Sequence, residues 1–145
     1  MLKILLVEDD HIQCGYVVKT FATNLNAEVT TKACESEFQR DFESIASNPP
    51  DVAILDIMLR WASPSRTGNT APSDLTPYHA GLRCARALES DPRTRNVKIV
   101  LYSVFPKEDF ADSLLPQDAT FVVKEPNCQN LIDAVNDLQV AGAAD

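Results

Sequence analysis

Basic residues are scarce in this chain, with 13 Lys and Arg against 21 Asp and Glu, a formal charge of −8 and a pI near 4.7. That balance argues against direct nucleic-acid binding, because phosphate contacts need a net basic face. Long apolar runs are missing too: none approaches the ~20 residues of a membrane helix, so no membrane partner is expected. The amino terminus lacks the pattern of a secretory leader, since Ile4, Leu5, Leu6 and Val7 run straight into Glu8, Asp9 and Asp10. Cys14, Cys34, Cys84 and Cys128 form no close pair of the kind that clamps zinc or does redox work, and they read as reduced core thiols. His11 and His79 stand alone and receive no catalytic role. There is no internal repeat. A cytoplasmic, single-domain protein is the expectation.

What is present suffices for one packed core: 145 residues, 45% hydrophobic and 23% charged. Leu2 to Val7 reads as a strand buried on both faces. Cys14, Val17, Val18, Phe21 and Leu25 then fall on one helical stripe. Glu28 to Ala33 is rich in β-branched residues and predicts a second strand. Phe38, Phe42, Ile45 and Ala46 mark a second helix, stopped at Asn48-Pro49-Pro50. Val52 to Leu55 is a third strand running into Asp56. From Met58 to Tyr78, Pro64, Pro72 and Pro77 break any long element. Gly81 to Glu89 predicts a helix with Leu82, Ala85 and Leu88 inward, and Lys98 to Tyr102 a fourth strand. A short helix is expected between Pro106 and Pro116, a fifth strand over Thr120 to Val123, and a last helix marked by Leu131, Val135 and Leu138, fraying from Ala141. Strands alternating with helices imply a mostly parallel α/β sheet covered on both faces. Charge is uneven along the chain: −4 over residues 1–50, +2 over 51–100 and −6 over 101–145. The last third is therefore an acidic surface around one embedded lysine, Lys124.

Open α/β sheets bind ligands beyond the carboxyl ends of their strands. Here the first strand ends in Glu8-Asp9-Asp10, the third in Asp56, the fourth in Ser103 and the fifth in Lys124. Carboxylates about 4 Å apart repel by roughly 1 kcal/mol in water and about 4 kcal/mol at an effective dielectric of 20. Lys124 offsets part of that charge, and a hard divalent cation such as Mg²⁺ would offset the rest. Asp56 can then attack a phosphorus centre, with Lys124 and the Ser103 hydroxyl holding the equatorial oxygens.

The motifs VEDD at 7–10, ILDIML at 54–59, VLYS at 100–103 and FVVK at 121–124 resemble the receiver domain of two-component response regulators, and the likeness runs from Leu2 to about Val140. The resemblance implies a flavodoxin-like doubly wound five-stranded parallel sheet, strand order 2-1-3-4-5, with five helices. It implies that Asp56 is the phosphoacceptor, that Asp9 binds Mg²⁺ directly and Glu8 through water, and that the Met58 carbonyl is a further metal ligand. Ser103 is similar to the family's hydroxyl switch residue, Lys124 to its lysine and Phe121 to its rotating aromatic. A phenylalanine in a buried strand is otherwise simply core. The implied partners are a histidine kinase or phosphotransfer protein, a downstream protein docking on strands 4 and 5 with their adjacent helices, and a second copy of the chain in a homodimer.

Three departures stand out. Gly81 resembles the glycine that opens the family's third helix, yet it lies 25 positions after Asp56. The usual spacing is about eight, so residues near 60–78 form an insertion of roughly 17, longer than compact domains usually keep without a purpose. It carries Arg60, Trp61 and Arg66 and reads as a lid, a docking loop or a neutral insertion. Val104 follows Ser103 where the family usually has Ala or Gly, which makes it a gate on access to the phosphoryl group. Glu125 separates Lys124 from Pro126, so any cis bond moves to Glu125-Pro126.

The domain is expected over residues 1–140 with a short tail at 141–145. It would act by docking on another protein or as the receiver of a longer chain. It is expected not to be an enzyme on a separate substrate, but to support its own Mg²⁺-dependent phosphoryl transfer and autodephosphorylation. The alternative is a phosphorylation-independent, receiver-like binding module. A Mg²⁺-dependent phosphatase would need a second acid near the nucleophile, and Ile57 and Met58 follow Asp56 instead.

Overall fold

The structure is a computed structural model and describes residues 1–59 and 79–144. Five strands form one parallel sheet: β1 (Leu2–Val7), β2 (Ala27–Lys32), β3 (Val52–Asp56), β4 (Lys98–Ser103) and β5 (Thr120–Val123), in the order β2-β1-β3-β4-β5. The position in the sheet explains the sequence of each strand. All five residues of central β3 are buried, so it has no polar face until Asp56. The edge strand β2 exposes Glu28, Thr30 and Thr31.

The strand period of two divides the core. Ile4, Leu6, Val52, Ile54, Val100, Tyr102 and Val122 pack on one face under α1 (His11–Asn24) and α5 (Gln129–Ala144). Leu5, Val7, Ala53, Leu55, Ile99 and Leu101 pack on the other, under α2 (Glu35–Arg40), α3 (Phe42–Ser47) and α4 (Ala80–Ser90). On α4 the expected stripe Leu82, Ala85 and Leu88 is buried, joined by Cys84. The four cysteines are free thiols.

Three segments differ from the sequence expectation. The single helix over Phe38 to Ala46 is two, parted at Asp41, whose carboxylate takes Lys32 at 2.7 Å and Arg40 at 2.9 and 3.0 Å. The segment between Pro106 and Pro116 is not a helix but two 3₁₀ turns, Lys107–Asp109 and Asp112–Leu114. Phe110 and Ala111 are extended between them, and Pro116 keeps Leu115 out of helical conformation. At the carboxyl end, α5 continues through residues 141–144, where the sequence suggests a fraying tail. The insertion near 60–78, with Arg60, Trp61 and Arg66, lies outside the described residues.

Candidate functional site

The strand order reverses between β1 and β3, and that is where the acids gather. Val7 pairs with Leu55, so Glu8 and Asp56 emerge side by side at the strand ends. The three consecutive acids after β1 divide their roles. Asp10 caps α1, its Oδ1 accepting from the Ile12 and Gln13 amides at 2.9 and 3.1 Å. Glu8 turns inward and is 2% exposed, with Oε1 accepting from the Asp10 amide at 3.2 Å. Asp9 joins Glu8 and Asp56 in a cluster whose ligand atoms all lie within 4.8 Å of one another. Three carboxylates on this spacing are a hard oxygen donor set of the kind a divalent cation such as Mg²⁺ takes.

Asp56 is 6% exposed. Its Oδ1 accepts from the Met58 amide at 3.1 Å, and its Oδ2 accepts from Lys124 Nζ at 3.3 Å. Lys124 also donates to Glu8 Oε2 at 2.8 Å, so one ammonium bridges two carboxylates. The Glu125–Pro126 bond is trans, and Lys124 reaches both acids from a backbone pinned by its amide to the Ser103 carbonyl at 2.7 Å. Lys124 bridges two of the three carboxylates. Burial, reinforced by the Asp56 charge, pushes the Glu8 carboxyl up to about 7. Burial, with Asp9 beside it, likewise raises Asp56 against the pull of Lys124. For Lys124, burial works against the charge, but Asp56 and Glu8 win and hold it above its ordinary value.

Gly81 explains how the next helix comes so close. Its amide donates to the Ile57 carbonyl at 3.0 Å, and a Cβ there would overlap the Asp56 carbonyl oxygen and sit 2.6 Å from Ile57 Cα. The start of α4 can rest on the end of β3 only with glycine at this point. Two residues on, Arg83 forks onto Glu35 with two bonds of 2.7 Å, fastening α4 to the first turn of α2.

The other expected residues make contacts of their own. Ser103 ends β4, 1% exposed, with its Oγ accepting from the Phe105 amide at 3.0 Å. Phe121 is half-buried on the α2–α4 side of the sheet against Phe110, ring centroids 5.9 Å apart. Val104 is 62% exposed, and Phe105 beside it is also exposed.

Sequence reasoning missed Tyr102. It reads as one more apolar residue of KIVLY, yet its ring lies 5.1 Å from Lys124 Nζ and its hydroxyl accepts from Gln13 Nε2 at 2.7 Å. The signal was a phenol in a strand with no wet face, since a buried hydroxyl requires a partner. Burial holds that hydroxyl far above the usual phenol value, so the ring stays neutral. Glu35 and Arg83 were missed as well. They are 48 positions apart, and no local pattern joins them.

No protein-family model matches the chain, and no curated protein does. Solved structures do. The bacteriophytochrome response regulator AtBRR superposes with a TM-score of 0.66 at 21% identity, over 97% of this chain and 94% of that one. The response regulator TrrA from Thermotoga maritima, solved in complex with Mg²⁺–BeF, gives 0.63 at 22% identity over 95% and 99%. The phosphorylated cyanobacterial phytochrome response regulator RcpA gives 0.63 at 22% identity over 95% and 91%. The chain therefore has the fold of response regulator receiver domains, with strand order 2-1-3-4-5.

Proposed function

We propose that this chain is a phosphorylation-controlled signalling switch of the two-component type, taking a phosphoryl group on Asp56 from a histidine kinase or phosphotransfer protein. The observation that carries the reading is the bridge from Lys124 to both Glu8 and Asp56 beside a third carboxylate, Asp9, at the switch point of the sheet. An Asp56 oxygen attacks phosphorus, the bond from phosphorus to the donor's imidazole nitrogen breaks, and that nitrogen keeps the electron pair. Glu8, Asp9 and Asp56, with the Met58 carbonyl, are the residues that would hold Mg²⁺. When bound, it supplies positive charge against the carboxylates and the incoming phosphoryl oxygens. Lys124 moves from its carboxylate partners to a phosphoryl oxygen, and the Ser103 hydroxyl donates to another. That engagement draws Ser103 away from the Phe105 amide and biases Phe121, altering the surface of β4 and β5 that a downstream protein would read. The chain acts on no separate substrate. Water attack on phospho-Asp56 resets it, and Val104 stands at the approach.

The test is to incubate the protein with Mg²⁺ and acetyl phosphate and weigh it intact beside Asp56→Asn. One phosphoryl adduct that requires both Mg²⁺ and Asp56 is the expected result. No adduct from acetyl phosphate or from a phosphorylated phosphotransfer protein would leave the phosphorylation-independent binding module as the reading.

A further inference from the structure

We propose that Tyr102 is the positioning residue of this site: its ring is the platform that seats the Lys124 ammonium between Glu8 and Asp56, and its hydroxyl pins that platform to α1 and to the start of α5. Tyr102 is the lateral neighbour of Asp56 in the sheet, and its carbonyl takes the Ile57 amide at 3.2 Å. Its side chain shares a face with those of Glu8, Asp56 and Lys124, because all four continue the alternation of Leu6, Ile54, Val100 and Val122. Lys124 Nζ stands 5.1 Å from the ring centroid, within cation–π range, and the ring is fully buried, so water does not weaken the attraction.

The platform is held at its far end. The hydroxyl takes Gln13 Nε2 at 2.7 Å and lies 3.6 Å from Cys128 Sγ, while the same Gln13 amide reaches Cys128 Sγ at 3.4 Å. Cys128 adopts a left-handed backbone, φ 56°, unusual for a side chain with a Cβ, and its buried thiol lies just before the start of α5 against the phenol. A lysine at a strand end has four rotatable bonds, and two carboxylates alone would let its head follow either acid toward solvent. A fixed aromatic face behind it restricts Nζ to the strip over Glu8 and Asp56. Nζ can then slide from Glu8 to an incoming phosphoryl oxygen without leaving the ring.

The activity arm of this proposal rests on the phosphoacceptor reading above; the structural arm does not. Tyr102→Phe keeps the ring and loses the pin, and Tyr102→Leu removes the ring. Tyr102→Met replaces the latter if leucine does not hold the fold, as judged by cooperative thermal unfolding. In the free protein, the Lys124 ε-methylene protons are expected upfield of ordinary lysine, by ring current, in wild type and Tyr102→Phe, and at the ordinary position without the ring. With Mg²⁺ and acetyl phosphate, losing the ring slows phosphorylation about tenfold. The phenylalanine variant, which keeps the ring and loses the pin, falls between wild type and the ring-less variant in rate, and Mg²⁺ affinity stays within about twofold in all of them, because Lys124 is no metal ligand. An unshifted Lys124 in wild type, or parallel loss of rate and Mg²⁺ affinity, would overturn the proposal. If wild type takes no phosphoryl group, the function reading falls, and the resonances alone decide the role of Tyr102.

Discussion

The carboxyl ends of the strands present two rows of side chains, one on each face of the sheet, and they are built differently. On the α1–α5 face, Glu8, Asp56, Tyr102 and Lys124 are tied to one another by bonds of 2.8 and 3.3 Å and a cation over a ring. On the opposite face, the Ser103 hydroxyl accepts from the Phe105 amide and Phe121 rests on Phe110, while just past the strand end Val104 and Phe105 are exposed. Two 3₁₀ turns flank that second row where the first has two long helices. The first row is held together by its own side chains, as the residues of the proposed reaction site would have to be. The second is loosely held, as a surface that changes state must be. On the proposed function, the phosphoacceptor belongs to the first row and most of the surface to be read belongs to the second.

Removing the central cation should break the comparison most. Lys124→Met leaves Glu8 and Asp56 buried without their shared partner and is expected to cost about 3 kcal/mol at pH 8, the low end for breaking a buried pair. The sign with pH follows from Glu8. Its carboxyl is raised to about 7 in the fold, so its favourable contribution is full below the ordinary carboxylate range and lost as pH rises through about 7. Without Lys124 the penalty for ionising Glu8 grows, so the loss should be smaller at pH 5, where Glu8 is protonated. Urea unfolding in EDTA at the two pH values measures this; an equal or larger loss at pH 5 would sink it.

Gly81→Ala tests whether the first row depends on the close approach of α4. Helix propensity alone favours alanine by up to about 1 kcal/mol. The overlap of a Cβ with the Asp56 carbonyl predicts a loss of about 2 kcal/mol instead. Because the shifted backbone carries Asp56, phosphorylation should slow although no reacting group is removed. A variant as stable as wild type would show that α4 can move off β3 freely.

A smaller effect sharpens the electrostatic side. Mg²⁺ held as proposed would compete with the proton on Glu8, so affinity should weaken by up to about tenfold per unit as pH falls below about 7. Glu8→Gln should flatten that slope, as titration calorimetry across pH 5.5 to 8 would read, with roughly that range fixed by the carboxyl's raised value. Wild type and variant sharing one slope would assign the proton elsewhere.

The difference between the rows also decides what the sequence could tell. Acids and a lysine at the ends of apolar runs are legible because a buried strand has no other reason to finish on them. Hence Glu8, Asp9, Asp56, Ser103 and Lys124 could be read as strand-end residues, while the strand order came from the resemblance to receiver domains. Tyr102 was not legible, because its partners Gln13 and Cys128 are 89 and 26 positions away and its own segment reads as core. The Asp41 break hides in a continuous apolar stripe, since only Lys32 across the fold reveals why Asp41 turns. Between Pro106 and Pro116, local signals for starting and stopping a helix were present, but with Phe110, Leu114 and Leu115 only partly buried, packing supplies little to close one.

The second row should respond to substitution in rate and scarcely in stability, and Val104 gives the finest test. Its side chain is 62% exposed, so Val104→Ala should change unfolding free energy by under about 0.5 kcal/mol. Yet Val104 directly follows Ser103, whose hydroxyl meets the phosphoryl group in the proposed function, and a branched side chain there would narrow the path of the attacking water. Shortening it should speed loss of the phosphoryl group from Asp56, by a few-fold on the scale of one small steric contact. The time course of the phosphorylated mass after removal of acetyl phosphate measures the rate. Faster loss with unchanged stability would place a kinetic control on the loosely held row, separate from the chemistry behind it. An unchanged or slower rate would confine both chemistry and its timing to the row of Glu8, Asp56, Tyr102 and Lys124.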